Sequence, residues 1–98
     1  MRFEWDEKKN ELNKNKHRVS FEEARTVFDD DNAIYDFDKE NSTADEQRFI
    51  IIGIAERLEN PLTVCHCYRG KNEEIIRIIS ARNATKVEAK LYEEGLGL

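Results

Sequence analysis

Residues 75–82, Ile75-Ile76-Arg77-Ile78-Ile79-Ser80-Ala81-Arg82, constrain the fold more than any other stretch of the chain. Four isoleucines within five residues, each stiff at its first side-chain torsion, predict a strand that begins after the turn-forming Gly70-Lys71-Asn72. An arginine stands in the middle of it. Side chains alternate between the faces of a strand, so Ile76, Ile78, Ser80 and Arg82 share one side while Ile75, Arg77, Ile79 and Ala81 share the other. A guanidinium is not buried unpaired. Arg77 therefore either meets a carboxylate such as Glu23 or Glu88, or lines a groove that receives an anion. Arg77 and Arg82 are separated by an odd number of residues, and they serve one site only if the strand bends or ends near Ser80.

The neighbouring segments supply a sheet for this strand. Arg48 to Ala55 is apolar on both faces and predicts a central strand, and Asn60-Pro61 marks a turn. Leu62 to Arg69 then predicts a strand with Thr63, Cys65, Cys67 and Arg69 on one face and Leu62, Val64, His66 and Tyr68 on the other. Short connections make these three strands an antiparallel meander. Ala33 to Phe37 alternates like an edge strand and is followed by a polar loop, Asp38 to Gln47.

The remaining segments predict helices. Phe3 to Trp5 reads as a short strand, and Asp6 caps a helix that runs through Lys16. Lys9, Asn13, Lys16 and His17 fall on one polar, mostly cationic stripe of that helix, whose plain reading is a solvent-facing side. Ser20 and Glu23 make a reciprocal capping box for a second helix with Phe21, Ala24, Val27 and Phe28 as its apolar face. Thr85 and Glu88 repeat the device before a last helix, which carries Val87 and Leu91 and is stopped by Gly95. The expected fold is one α+β domain over 1–98, in the order β-α-α-β-β-β-β-α, with an antiparallel sheet.

Size and charge narrow the function. A chain of 98 residues buries one modest core. Its longest apolar block, Phe49 to Ala55, is far shorter than the roughly 20 residues needed to span a bilayer. With no secretory segment legible, a cytoplasmic location and no membrane partner are expected. Cys65 and Cys67 are expected to stay reduced, and Cys65-His66-Cys67 does not converge as metal ligands do, so neither metal nor cofactor is expected. The net charge of −5 is unevenly spread: Glu22 to Glu46 holds ten acidic and two basic residues, whereas the rest holds 14 basic and 11 acidic. This segregation suggests an anion-binding surface in one place and, elsewhere, either an acidic face for a basic partner or a solvated acidic loop.

The cations are Lys9, Lys16 and His17 on the first helix and Arg48, Arg69, Arg77 and Arg82 on or beside strands. Antiparallel geometry brings Arg48, at the start of one strand, near Arg69, at the end of the next. Arginines hold phosphate oxygens and stabilise charge developing on them, while a histidine or lysine moves protons. RNA suits such a set without a metal, because its own 2′-hydroxyl can attack the adjacent phosphate.

Phe3-Glu4-Trp5-Asp6-Glu7-Lys8-Lys9, Asn13, and Lys16-His17-Arg18-Val19-Ser20-Phe21-Glu22-Glu23-Ala24 with Phe28-Asp29-Asp30 form one string of residue types at fixed spacing. Arg48-Phe49, Ile52-Gly53, Arg69-Gly70 and Arg77-Ile78-Ile79-Ser80-Ala81-Arg82 with Ala84-Thr85 and Glu88 form a second. Together they closely resemble the BrnT family of bacterial toxins over nearly the whole chain. The departures are the long loop before Arg48 and the Cys65-His66-Cys67 run. The resemblance implies a RelE-like fold and a toxin of a type II toxin–antitoxin system, a metal-independent endoribonuclease that inhibits translation. It also implies neutralisation by a BrnA-like antitoxin, through which alone operator DNA is contacted. On this reading Arg69, Arg77 and Arg82 clamp the scissile phosphate and Arg48 assists. His17 is the first choice for general acid or base and His66 the second, and Lys9, Asn13 and Lys16 contact RNA. The alternative is a degenerate, non-catalytic binding module that sequesters an antitoxin or binds nucleic acid.

Overall fold

The computed structural model describes residues 1–95, so the last three positions of the expected domain lie outside the described residues. In chain order these residues form β1 (Arg2–Glu4), α1 (Glu7–His17), α2 (Phe21–Arg25) continuing into a 3-10 turn (Thr26–Asp29), β2 (Ile34–Phe37), β3 (Phe49–Ile54), β4 (Pro61–Arg69), β5 (Ile75–Asn83) and α3 (Lys86–Glu94). The expected α+β order is the observed one. No described helix is long and apolar enough to cross a membrane.

All five strands join one sheet in the order β1-β5-β4-β3-β2. β3, β4 and β5 form the anticipated antiparallel meander, and β2 extends it as an edge strand antiparallel to β3. β1 differs: it pairs in parallel with the outer edge of β5, Arg2–Glu4 against Ile75–Arg77, so the sheet is mixed rather than wholly antiparallel. A parallel pair requires a long connection. Here that connection is the whole intervening chain, and α1 and α2 within it cover one face of the sheet.

Under those helices lies the core. Val19, Phe21, Ala24 and Val27 from the helical segment meet Ile51, Leu62, Val64, Ile78 and Ala81 from the strands, all buried. Burying a side chain such as Phe21 or Ile51 stabilises by about 1.5–3 kcal/mol. Both capping boxes form: the Glu23 amide donates to Ser20 Oγ and that of Glu88 to Thr85 Oγ1, and each glutamate accepts back from its cap's amide.

One irregularity in β5 decides where its arginines go. Cys65 lies opposite Ser80 but His66 lies opposite Ile78, which leaves Ile79 as an extra residue. Such a bulge shifts the alternation by one. Ile76 and Ile78 face the core before it, and Ala81 faces the core after it. Arg77 and Arg82, five positions apart, therefore emerge on the same face, the one away from α1 and α2.

α1 is held in an unusual way. Its buried residues are Asn10 and Asn13, whereas Leu12 is exposed. Asn13 Nδ2 donates to the carbonyls of Ala81 (2.7 Å) and Val19 (2.8 Å), and its Oδ1 accepts from the Ala81 amide (3.1 Å). One side-chain amide thus stands in for a neighbouring strand where β5 outruns the short β1. Asn10 Oδ1 accepts from the Phe21 amide at 2.8 Å and its Nδ2 donates to Glu22 and Glu7, tying α1 to the start of α2. Among the described residues every buried side-chain polar atom has a hydrogen-bond partner.

Candidate anion-binding face

Alternation along β4 sends Thr63, Cys65, Cys67 and Arg69 to the face away from α1 and α2. Directly across from the first three stand Arg82, Ser80 and Arg77 of β5. Arg48, one residue ahead of β3, joins them at a cleft of about 180 Å³ lined by Asp38, Asn41, Arg48, Ile50, Thr63, Cys65, Ser80 and Arg82. A second cleft of about 380 Å³ is lined by Glu46, Phe49, Cys67, Tyr68 and Arg69 among others. The four arginines of the sequence pattern thus share one sheet face.

Each has a carboxylate partner. Glu46 bridges two of them, accepting from Arg48 Nε at 2.7 Å and from Arg69 at 2.9 Å. Arg77 donates to Glu4 at 2.7 Å, an ion pair between β5 and β1 rather than one with Glu23 or Glu88. Glu23 is occupied in its capping box, and Glu88 takes Arg82 through both terminal nitrogens, at 2.7 and 3.1 Å. Burial opposes ionisation of Glu88. The bonds from Arg82, the Thr85 amide and the Thr63 hydroxyl outweigh it and hold the carboxyl down at about 2. Glu46 is also held below the usual carboxylate range, by the Arg48 hydrogen bond first and then by the charges of Arg48, Arg69 and Lys9.

The pairs do not use the arginines equally. A guanidinium carries five N–H donors. Arg48, Arg69 and Arg77 each direct one nitrogen at a carboxylate, leaving donors for a second anion. Arg82 gives both terminal nitrogens to Glu88 and one also to the Asn83 carbonyl. Its geometry is that of a strut between β5 and α3, which argues against the clamping part expected of it.

The other expected site residues scatter. His66 is fully buried on the helix side of β4, packed edge-on against Phe28 (4.9 Å between centroids) and Tyr68 (5.4 Å). Burial drives its pKa down to about 4 against a weaker pull from the Val64 carbonyl, so it is a neutral core residue on the wrong side of the sheet for the arginines. Asn13 is likewise buried, with its side-chain amide bonded to Ala81 and Val19 rather than turned to solvent as the stripe reading expected. Lys9 and Lys16 are exposed, and Lys9 is near enough to Glu46 for its charge to act there. His17 is half-buried at the end of α1, and among the described residues no hydrogen bond or ion pair joins it to the arginines. Glu4 and Glu46 went unnoticed in the sequence as partners of the cationic row. The one available signal was that so many arginines beside a sheet need counter-charges.

The structure is that of a small α+β domain with a row of arginines on one sheet face, three of which keep guanidinium donors beyond their ion pairs. The sequence pattern of the family described as "Ribonuclease toxin, BrnT, of type II toxin-antitoxin system" matches residues 5–88, and the chain belongs to that family. The fold agrees: the 1.1 Å crystal structure of the Brucella abortus ribonuclease toxin BrnT is similar, with a TM-score of 0.63 and 26% identity over 88% of this chain and 99% of that one. No curated protein matches the chain. Membership in a type II toxin family implies RNA as substrate and an antitoxin as partner.

Proposed function

We infer that this toxin is a metal-independent endoribonuclease whose cleavage of RNA inhibits translation, and that a BrnA-like antitoxin neutralises it and carries any contact with operator DNA. What carries the reading is the convergence of Arg48, Arg69 and Arg77 on one open face, each with guanidinium donors to spare. Two or three such forks grip the non-bridging oxygens of a phosphodiester and stabilise the charge that grows on them during attack. Lys9 and Lys16, exposed on α1, draw the polyanion in. The chemistry asked of the protein is positioning, charge stabilisation and proton transfer, tasks that side chains can perform without a metal.

The test is incubation of the purified protein with RNA in excess chelator. Cleavage that persists supports the reading, and the fragments should end in a 2′,3′-cyclic phosphate and a 5′-hydroxyl. Cleavage restored only by a divalent cation overturns metal independence. Binding of RNA or antitoxin with no cleavage under any condition favours the non-catalytic module.

A further inference from the structure

The ribonuclease reading leaves one role unfilled on the arginine face, that of a group to take the proton from the attacking hydroxyl. His66 is closed inside the core on the other side of the sheet. The Cys65 thiol opens onto the face, but burial and the nearby Asp38 push it up to about 11, so it stays protonated. Carboxylates remain. Glu88 has both oxygens engaged by Arg82, Thr63 and Thr85 in holding α3. Glu4 sits on β1 with Arg77, and Asp38 accepts from both the amide and the side chain of Asn41.

Glu46 stands apart from these. Each of its oxygens meets a different arginine, so it lies between two guanidiniums that still have free donors. Its backbone is fixed although it lies in the connection between β2 and β3: its amide donates to Thr43 Oγ1 at 3.0 Å and its carbonyl accepts from the Thr43 amide at 2.8 Å. Glu46 lines the larger cleft together with Cys67 and Arg69, and its partner Arg48 lines the smaller one. A single strand of RNA crossing from one cleft to the other brings its linking phosphate past Arg48, Glu46 and Arg69.

We propose that Glu46 is the general base for attack of the RNA 2′-hydroxyl on its own 3′-phosphate, an assignment that rests on the ribonuclease reading above. The Glu46 carboxylate takes the hydroxyl proton as the 2′-oxygen bonds to phosphorus. Arg48 and Arg69 hold the charge that builds on the non-bridging oxygens. The bond from phosphorus to the 5′-oxygen breaks, that oxygen takes a proton from solvent at the open face, and Glu46 returns its own proton to water. The products are a 2′,3′-cyclic phosphate and a 5′-hydroxyl. The same arginines that keep Glu46 ionised make it a weak base in the resting protein, so the proton moves only as the new bond to phosphorus forms.

The experiment compares wild type, Glu46→Gln, Glu46→Asp and His17→Gln in single-turnover cleavage of one RNA oligonucleotide across pH. Folding is verified by thermal melting. Affinity is read separately with the same oligonucleotide carrying 2′-O-methyl groups. Glu46→Gln should lose about 10²–10⁴-fold in rate and the acid limb of the pH profile. Its affinity for the methylated strand should hold or rise, and Glu46→Asp should recover part of the rate. Glu46→Gln cleaving at the wild-type rate overturns the proposal and leaves Glu46 a counter-ion. A rate loss in His17→Gln alone overturns it in favour of α1, and equal losses of rate and affinity in Glu46→Gln make the residue one that positions the arginines. Wild type that cleaves no RNA overturns the ribonuclease reading itself, a result distinct from active wild type beside an equally active Glu46→Gln.

Discussion

Asn13→Ala separates a structural amide from an RNA contact. In the folded chain Asn13 is 7% exposed and makes three hydrogen bonds, two to Ala81 of β5 and one to Val19. Truncation leaves the Ala81 amide, the Ala81 carbonyl and the Val19 carbonyl facing an apolar methyl. At roughly 1 kcal/mol per bond, and up to about 3 where a group stays unsatisfied, the loss sums to about 2–5 kcal/mol. That is a large part of the roughly 5–15 kcal/mol by which a domain of this kind is stable. Urea unfolding followed by circular dichroism should show a lower midpoint with an unchanged slope, and the melting temperature should drop by roughly 10 °C or more. Asn13→Asp should do no better, because its carboxylate meets two carbonyl oxygens. A stability within about 0.5 kcal/mol of wild type, together with weakened RNA binding, would refute the argument and return Asn13 to the surface stripe.

Burial of His66 sets the first acid step in stability. Its folded pKa of about 4 lies below the ordinary 6.5, so the unfolded chain binds the extra proton through that interval. Stability should be full above about pH 6.5 and fall by at most about 3 kcal/mol toward pH 4, and urea midpoints of His66→Phe should lack that slope. Glu88, with a folded pKa of about 2 against 4.5, contributes stability that is present above about pH 5 and is lost as pH falls toward about 2. Because Arg82 is 42% exposed and partly screened, the contribution of Glu88 stays below about 3 kcal/mol, and Glu88→Gln should lower stability at pH 7 and flatten the acid limb below about pH 5. Glu4→Gln frees Arg77 from a half-exposed pair; stability should change by less than about 1 kcal/mol while RNA affinity at low salt rises, both measurable by unfolding and by titration.

Local signals in the chain were readable because the physics behind them is local. The Ile75–Ile79 run, both capping boxes and the alternation of β4 each depend on residues within a few positions of one another, and each formed as expected. The sequence also posed the right question about Arg77 and Arg82, since parity alone put them on opposite faces. Its answer, the bulge at Ile79, was not legible: an extra residue in a run of isoleucines changes neither composition nor pattern. Long-range partners were hidden for a similar reason. Glu4 and Arg77 are 73 positions apart, and only the parallel pairing of β1 with β5 brings them together. Asn13 looked like part of a solvated stripe because its neighbours Lys9 and Lys16 are charged. Its burial follows from a vacancy in the sheet edge that exists only once β1 stops at Glu4. His66 was placed on the correct side of its strand, but the aromatic rings that enclose it come from the 3-10 turn as well as the sheet.

The central claim is that Arg48, Arg69 and Arg77 clamp the phosphate at which RNA is cut. Single-turnover cleavage of a defined RNA by Arg69→Gln and Arg77→Gln proteins, each shown to melt as a folded domain, tests it most directly. Removal of either guanidinium should slow cleavage by about 10²–10³-fold, the loss typical of one preorganised donor to developing charge. Wild-type rates in both folded variants would contradict the account and leave the arginine row a set of ion pairs that hold β1 and the β2–β3 connection to the sheet.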